Sequence, residues 1–161
     1  MTRIFVSRDS GALSMGAEKV AMAIATEAVT RNQPVTVVRN GSRGLYWLEA
    51  LVEVETPAGR LAYGPVTPKD VPALFQAGFL TGGKHALSLG KVEEIPYFAK
   101  QERLTFARVG LTDPVSIADY EANSGFKGLR NALNLGAAQI VEQVTSSGLR
   151  GRGGAAFPTG I

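Results

Sequence analysis

The pattern of hydrophobic and polar positions divides residues 1–80 into short strand-like runs and longer helix-like runs. In Arg3–Ser7 apolar side chains alternate with polar ones, which is the period of a strand. In Gly16–Thr30 apolar residues recur every three to four positions, which is typical of a helix with one buried face. The same reasoning predicts three further strands, at Val35–Arg39, Leu51–Glu55 and Arg60–Tyr63, the last two joined by a turn at Pro57-Ala58-Gly59.

A second helix is predicted after these strands. Thr67 is a good capping residue and Pro68 suits the first helical position, so we expect the helix to begin there. The resulting order β-α-β-β-β-α predicts an α/β fold, a small thioredoxin-like domain over residues 1–80. Its expected core consists of Ile4, Val6, Val20, Ile24, Val37, Leu74 and Phe75.

Residues 81–116 show no sustained period, and we interpret them as a linker. Thr81-Gly82-Gly83-Lys84 has the composition of a connection, because glycine favours turns. Lys91–Arg103 is compatible with a helix broken at Pro96, and Phe106–Val109 with a short strand.

From Ile117 the helical period returns and leads into a loop rich in glycine and arginine. Helices are predicted at Tyr120–Leu135, interrupted at Gly125, and at Ala137–Ser147, with Gly148 as the residue that ends the second. The loop that follows, Leu149–Gly160, combines three features that suit a phosphorylated planar cofactor. Glycine lets a ligand approach the backbone closely, arginine matches phosphate oxygens, and an aromatic side chain stands at the edge. These residues are Arg150, Gly151, Arg152, Gly153, Gly154 and Phe157.

Composition excludes several other functions. The chain has 161 residues, 45% of them hydrophobic and 19% charged, which is typical of a globular protein. We expect a cytoplasmic protein without a membrane span, because no apolar run approaches about 20 residues and the N-terminus lacks the features of a signal peptide. The net charge of +3 is dispersed, so we do not expect a nucleic-acid partner. With no cysteine and a single histidine, His85, the chain offers no recognisable metal site.

The segment Ser147–Gly160, SGLRGRGGAAFPTG, closely resembles the signature of the NADH-binding flavoprotein subunit of respiratory complex I. Diaphorase subunits of NAD-linked hydrogenases and β subunits of NAD-dependent, molybdenum-containing formate dehydrogenases share this signature. The usual motif has glycine where this chain has Ala156. The resemblance implies that FMN packs against Gly151, Arg152, Gly153 and Gly154, and that Phe157 contacts NAD. Among the residues of this chain we identify no catalytic acid, base or nucleophile.

The same glycines also satisfy the G-x-G-x-x-G/A pattern of Rossmann dinucleotide sites. That pattern requires a strand before it and a helix that opens after it. Here a helix is predicted before Gly151, and Pro158 follows without a helical period. A Rossmann turn is therefore the weaker interpretation.

The first domain has a resemblance of its own. Gly16-Ala17-Glu18-Lys19-Val20 and Tyr63-Gly64-Pro65-Val66-Thr67-Pro68 resemble parts of the thioredoxin-like [2Fe–2S] ferredoxin that accompanies these flavoproteins. The cluster cysteines of that family fall near Ser7, Ala12, Ser42 and Tyr46, so the resemblance implies the fold without its cluster. We expect Tyr46 and Trp47 to fill the vacated space by core packing, with contact to a partner as the alternative.

Together the two resemblances imply the β subunit of an NAD-dependent formate dehydrogenase, and residues 117–161 as the start of its FMN/NAD domain. Such a subunit passes electrons through iron–sulfur clusters and FMN to NAD⁺, and its partners are a [2Fe–2S] γ subunit and a molybdenum-containing α subunit. A [4Fe–4S] cluster is then expected downstream of Ile161. The alternatives are a hydrogenase diaphorase subunit and, for these residues alone, a non-catalytic docking module for the γ subunit.

Overall fold

The computed structural model describes residues 1–161, which form two compact units, Met1–Asp119 and Tyr120–Ile161. The first unit contains a five-stranded sheet in the order β2-β1-β3-β4-β5. β1 and β2 are parallel, and the remaining neighbours are antiparallel. The strands are β1 (Thr2–Val6), β2 (Val35–Val38), β3 (Val52–Thr56), β4 (Gly59–Tyr63) and β5 (Ser88–Lys91).

Seven α-helices accompany the sheet. The first unit contains four of them, and α5 spans the boundary between the units. Short 3₁₀ turns lie at Tyr46–Leu48, Phe79–Thr81 and Val92–Glu94. The helices are α1 (Ser10–Ser14), α2 (Ala17–Thr30), α3 (Val71–Gln76), α4 (Pro96–Ala99), α5 (Ile117–Ala122), α6 (Lys127–Leu133) and α7 (Ala137–Ser146).

The topology of the first unit is thioredoxin-like. A parallel β1-α2-β2 unit is followed by the antiparallel β3-β4 hairpin and then by α3, with β1 between β2 and β3. This order and these strand directions confirm the predicted α/β fold.

The main core lies between the sheet and the helices α2 and α3. α2 buries one stripe of small and branched side chains, Ala17, Val20, Ala21, Ile24 and Ala28. Of the seven expected core residues, six are buried and Val37 is partly buried against the same cluster.

The opposite face of the sheet is covered by the segment that follows β5. Val92, Ile95 and Phe98 form a second buried cluster there with Leu45, Leu51 and Ala62. Beside Phe5 on this side of the unit, the buried carboxylate of Glu53 binds Arg43 at 2.5 and 3.0 Å and Arg60 at 3.2 Å. The Arg60 guanidinium lies 3.4 Å from the centroid of the Phe5 ring.

Three sequence-based details of this unit differ from the structure. The expected linker over 81–116 contains β5, which pairs with β4, and the first unit runs to Asp119. The strand expected at Phe106–Val109 is a turn. α3 begins at Val71 rather than Pro68, because the Asp70 carboxylate accepts both the N–H and the hydroxyl of Thr67.

The second unit contains α6, α7 and the loop after them. The predicted interruption at Gly125 is present: a Cβ there would collide with the backbone of Tyr120. The flanking residues Ser124 and Phe126 both have positive φ, so the chain turns sharply between α5 and α6. Gly125 is the one buried residue of this unit.

Candidate cofactor-binding loop

The loop Leu149–Gly160 is presented by the C-terminal end of α7. Gly148 follows the capping residue Ser147 with φ +65°, the left-handed conformation that glycine adopts without steric cost. The predicted role of Gly148 is therefore confirmed. The chain then reverses as a small hairpin, because the Gly151 N–H donates to the Phe157 carbonyl at 2.8 Å and the Thr159 N–H donates to the Leu149 carbonyl at 2.9 Å.

The base of the loop is packed against α7. The Thr145 hydroxyl lies 2.8 Å from the carbonyl oxygen of Gly160. A Cβ on Gly160 would collide with the backbone and the hydroxyl of Thr145, so this glycine is required by packing within the unit. The loop is consequently held at both ends by its own chain.

The glycines at the tip of the loop are not required by the loop itself. A Cβ on Gly153 or Gly154 would find no atom within 4 Å, and neither residue has a positive φ. A Cβ on Gly151 would make only ordinary contacts of 3.6 Å with the Phe157 backbone. The tip of the loop therefore has open space in which another molecule could approach the backbone closely.

The two arginines of the loop have different surroundings. Arg150 Nε donates to the Ala156 carbonyl at 2.8 Å and thereby helps to close the hairpin. Arg152 is exposed and makes no hydrogen bond or ion pair within the chain, so its guanidinium fork is open to an anion. The sequence pattern alone did not separate these two roles.

Two further residues define the edge of the loop. Phe157 is 64% exposed, which leaves its ring available for stacking. Ala156 has φ +46°, a left-handed conformation that disfavours any side chain. The glycine of the related motif would occupy this position without that cost.

The surroundings of the loop do not match a Rossmann turn. α7 precedes Gly151 where a strand would be needed, and no helix follows Pro158. The structure therefore agrees with the prediction that a Rossmann turn is the weaker interpretation of this loop.

In the first unit, a carboxylate links two of the four positions that the resemblance places near cluster cysteines, Ala12 and Ser42. The Asp9 side chain accepts the N–H of Ala12 at 2.9 Å and the N–H of Ser42 at 2.7 Å, so it joins the loops after β1 and β2. Sequence reasoning missed this link, although an aspartate placed three residues before Ala12 is a helix N-cap signal. The four positions themselves offer hydroxyl and methyl groups, which do not fit an iron–sulfur cluster.

A second carboxylate lies beside the first. The Ser42 hydroxyl donates to Glu49 Oε1 at 2.8 Å, and the Leu51 N–H donates to Glu49 Oε2 at 2.9 Å. Burial raises the pKa of Glu49 above its usual value, because desolvation outweighs these two hydrogen bonds.

Tyr46 and Trp47 do not fill a buried space. They are 55% and 61% exposed, so the expectation of core packing is wrong. The two residues lie in the 3₁₀ turn Tyr46–Leu48, where Tyr46 covers Gly11 and Trp47 packs edge-on against Tyr97 at 5.4 Å between ring centroids. The alternative, an exposed surface for a partner, stays a prediction.

Potential metal ligands and long apolar helices were the remaining features to locate in the structure. No group of three or more histidine, cysteine or acidic side chains is arranged to hold a metal ion. His85 Nδ1 accepts the N–H of Leu87 at 3.2 Å, a local turn contact. None of the helices has the length and apolar character that crossing a bilayer would require.

Some known proteins are similar in sequence to part of this chain. No family model matches the chain. It is 52% identical over 62 residues to the NADP-reducing hydrogenase subunit HndC of Solidesulfovibrio fructosivorans, a match that covers 38% of this chain and 13% of that protein. It is 47% identical over 49 residues to a subunit of the NADH-quinone oxidoreductase of Escherichia coli, which covers 30% of this chain and 11% of that protein. The chain thus spans a small part of both relatives.

Among solved structures, the wild-type thioredoxin-like [2Fe–2S] ferredoxin from Aquifex aeolicus is similar to this chain. The sequence identity is 21% and the TM-score is 0.48, over 56% of this chain and 98% of the ferredoxin. The fold assignment for this chain stands on its own sheet order and strand directions.

Proposed function

We propose that this chain is part of an NAD-linked flavoprotein oxidoreductase and that the loop Leu149–Gly160 forms one wall of its FMN/NAD site. One observation carries the proposal: the glycines at the loop tip meet no demand of the loop's own packing or backbone conformation. An unpartnered guanidinium, Arg152, lies between them. Residues 117–161 are then the beginning of the cofactor-binding domain.

The partial relatives support this class of reaction. One is a subunit of an NADP-reducing hydrogenase and the other a subunit of an NADH-quinone oxidoreductase, so both names specify electron exchange with a nicotinamide nucleotide. Because the matched segments are only 13% and 11% of those proteins, the activity of the whole subunit remains part of the proposal.

Each loop residue has a distinct role in this site. The backbone of Gly151, Gly153 and Gly154 would hold the flavin, Arg152 would bind its phosphate or its anionic reduced ring, and Phe157 would contact NAD. When bound, FMN supplies hydride exchange with nicotinamide and single-electron exchange with iron–sulfur clusters. The chain itself positions the rings and contributes positive charge.

More specifically, we propose the β subunit of a cytoplasmic, NAD-dependent formate dehydrogenase. Supporting this, a thioredoxin-like unit without thiolates precedes the glycine-arginine loop on the same chain. The partners would be a [2Fe–2S] γ subunit and a molybdenum-containing α subunit, with a [4Fe–4S] cluster in a further part of the β subunit. A hydrogenase diaphorase subunit shares the domain order and differs in the electron donor.

A second candidate function, a docking module, is favoured by one observation in the first unit. Its aromatic residues Tyr46, Trp47 and Tyr97 are roughly half exposed or more, beside loops that lack cluster ligands. Large exposed aromatic side chains are common where proteins meet. On this hypothesis the unit binds the γ subunit without taking part in electron transfer.

Flavin content distinguishes the two candidates. The intact complex that contains this chain is purified, its FMN is quantified, and NADH-dependent dye reduction is measured. The redox proposal predicts a complex that contains FMN, in which Phe157→Ala retains FMN and raises the KM for NADH, because this contact is remote from hydride transfer. Phe106→Ala, at an equally exposed phenylalanine of the first unit, is the matched control and leaves KM unchanged. A complex that lacks FMN but still holds the γ subunit contradicts the redox proposal and supports docking.

A further inference from the structure

A cavity of about 600 Å³ opens on the first unit between the loop that follows β2 and the segment that begins with α4. Tyr46 from the loop and Tyr97 from α4 both line it, and these residues are 55% and 46% exposed. Trp47, which packs against Tyr97, is 61% exposed and extends this aromatic rim. The aromatic surface proposed for docking therefore borders a cavity.

Two arginine side chains also line this cavity, Arg43 and Arg103. Arg103 Nη2 donates to the Arg43 carbonyl at 3.1 Å, and Arg103 Nε donates to Gln101 Oε1 at 3.0 Å. The guanidinium carbons of Arg43 and Arg103 lie 5.8 and 4.6 Å from the centroid of one ring, that of Phe98. The chain therefore holds two cations beside the same ring, while Arg103 Nη1 makes no hydrogen bond within the chain.

Positive charge is in excess beside the cavity. The Glu53 carboxylate is shared by Arg43 and Arg60, and Arg103 forms no ion pair. Glu102, the one carboxylate among the lining residues, is exposed and likewise takes part in no ion pair. Burial and repulsion from Arg43 lower the pKa of Arg103, so its cationic form lacks a stabilising partner. A carboxylate placed at Arg103 would supply that partner.

We propose that a partner protein inserts an aspartate or glutamate side chain into this cavity, where the carboxylate pairs with Arg103 and neighbouring apolar side chains pack on the aromatic rim. Such recognition rests on the docking proposed above and adds the chemistry by which the partner is selected. A protein is favoured over a small anion because the apolar surface continues beyond the cavity: Leu104, next to Arg103 in the chain, is 90% exposed. Arginine and aromatic side chains are enriched where protein interfaces are most strongly bound.

The first test is retention of the partner subunit by the intact complex as the salt concentration is raised. Arg103→Gln removes the positive charge and should weaken subunit binding about tenfold or more, with a smaller salt dependence than in the wild type. Arg103→Lys keeps the charge and should preserve the salt dependence. Lys69→Gln removes an exposed cation just before α3, on the other side of the sheet, and is the matched control that should bind as the wild type does. Circular dichroism establishes that each variant is folded.

Arg103→Lys also allows the contact to be identified directly. A carbodiimide activates a carboxylate, and a neighbouring lysine amine then displaces the urea and forms an amide without a spacer. Arginine does not react in this way, so the wild type shows the background. We expect mass spectrometry of the coupled complex to show an amide between position 103 and an aspartate or glutamate of the partner subunit. Absence of coupling at position 103, or coupling confined to carboxylates of its own chain such as Glu102, would overturn the proposal.

Trp47→Ala separates the acidic contact from the docking on which it rests. Release of the subunit by Trp47→Ala together with full retention by Arg103→Gln leaves docking in place and overturns the acidic contact. Full retention by both variants contradicts docking at this surface and the acidic contact with it. Weakened binding in both variants, with a reduced salt dependence only in Arg103→Gln, supports both proposals.

Discussion

The two compact units of this chain are organised on different physical principles. In Met1–Asp119, the sheet is packed on both faces and large side chains such as Phe5, Leu74 and Phe79 have no exposed surface. In Tyr120–Ile161, Gly125 is the one buried residue, and Leu133 and Phe157 are 76% and 64% exposed. The fold of the first unit is stabilised by side-chain burial. The conformation of the loop in the second unit is instead set by backbone hydrogen bonds and glycines.

Structural glycines differ from functional ones within the second unit. A side chain at Gly125 or Gly160 would collide with its own unit, so packing explains those residues. No such explanation exists for Gly153 and Gly154, which have open space around the position of a Cβ. Gly128 in α6 is equally unobstructed, so we assign Gly153 and Gly154 to a ligand because they also lie in the hairpin loop beside Arg152 and Phe157.

The largest expected effect comes from the charged interior of the first unit. Glu53→Gln leaves Arg43 and Arg60 without their buried counter-charge and should lower the free energy of unfolding by about 3–5 kcal/mol. Denaturation followed by fluorescence of Trp47, the single tryptophan, measures this. Glu55→Gln is the control, because its partner Arg3 lies 3.5 Å away and both side chains are 45% exposed. Equal effects of the two substitutions would contradict the assignment of a buried ion-pair centre.

A pair of leucines compares the two units directly. Leu74→Ala removes a fully buried side chain from the first unit and should cost about 2–5 kcal/mol. Leu133→Ala, at a position 76% exposed in the second unit, should change stability by less than about 0.5 kcal/mol. Urea denaturation measures both values. A cost below about half a kcal/mol for Leu74→Ala would show that the core is wrongly assigned.

The difference between the units also explains which features the sequence predicts. Strands β1 to β4 and helices α2 and α3 follow from hydrophobic period and turn residues, since burial on one face imposes that period. β5 was missed because Ser88–Lys91 is short and contains Gly90 with φ +80°, which weakens any strand pattern. The burial of Glu53 was not predicted either. It depends on Arg43, which lies in a loop before β3, and on Arg60, which lies on the neighbouring strand β4.

In the candidate site, prediction succeeded for the local features and failed for the contacts. The interruption at Gly125 and the helix end at Gly148 are visible as glycines within or after a helical period. The different roles of Arg150 and Arg152 are not visible, because they depend on how the hairpin closes. The exposure of Tyr46 and Trp47 was not predicted either, because burial of a side chain depends on packing between segments that no local pattern encodes.

A smaller effect is expected at Ala156. Its left-handed conformation costs an alanine about 1–2 kcal/mol, and part of the gain from glycine is offset by the entropy of the unfolded chain. Ala156→Gly should therefore stabilise the hairpin by about 0.5–1 kcal/mol. Slower exchange of the Gly151 and Thr159 amides, which close the loop, is the measurement. Ala155→Gly, where φ is not positive, should instead speed exchange at both amides.

The smallest effect concerns the buried carboxyl of Glu49. Burial raises the pKa of Glu49 in the folded state. The stability that Glu49 contributes is therefore fully present below the pKa that Glu49 has in the unfolded chain, and it is lost as pH rises through the pKa that Glu49 has in the folded state. Glu49→Gln should thus gain stability relative to the wild type as pH rises from acid to neutral, since the amide oxygen still accepts the Leu51 N–H. Denaturation midpoints at several pH values test this, and a wild type that gains relative to the variant would refute it.

Flavin binding by a Gly153→Val variant tests the central assignment most directly. In the intact complex, a branched side chain at Gly153 would occupy the space next to the loop that the proposed site gives to the flavin ring, while the loop itself has room for it. Gly128→Val, an equally unobstructed glycine in α6 of the same unit, is the matched control. We predict that Gly153→Val loses FMN while its circular dichroism is unchanged, and that Gly128→Val retains FMN. Full FMN content and normal NAD-linked turnover in Gly153→Val would show that the loop is not the wall of the flavin site.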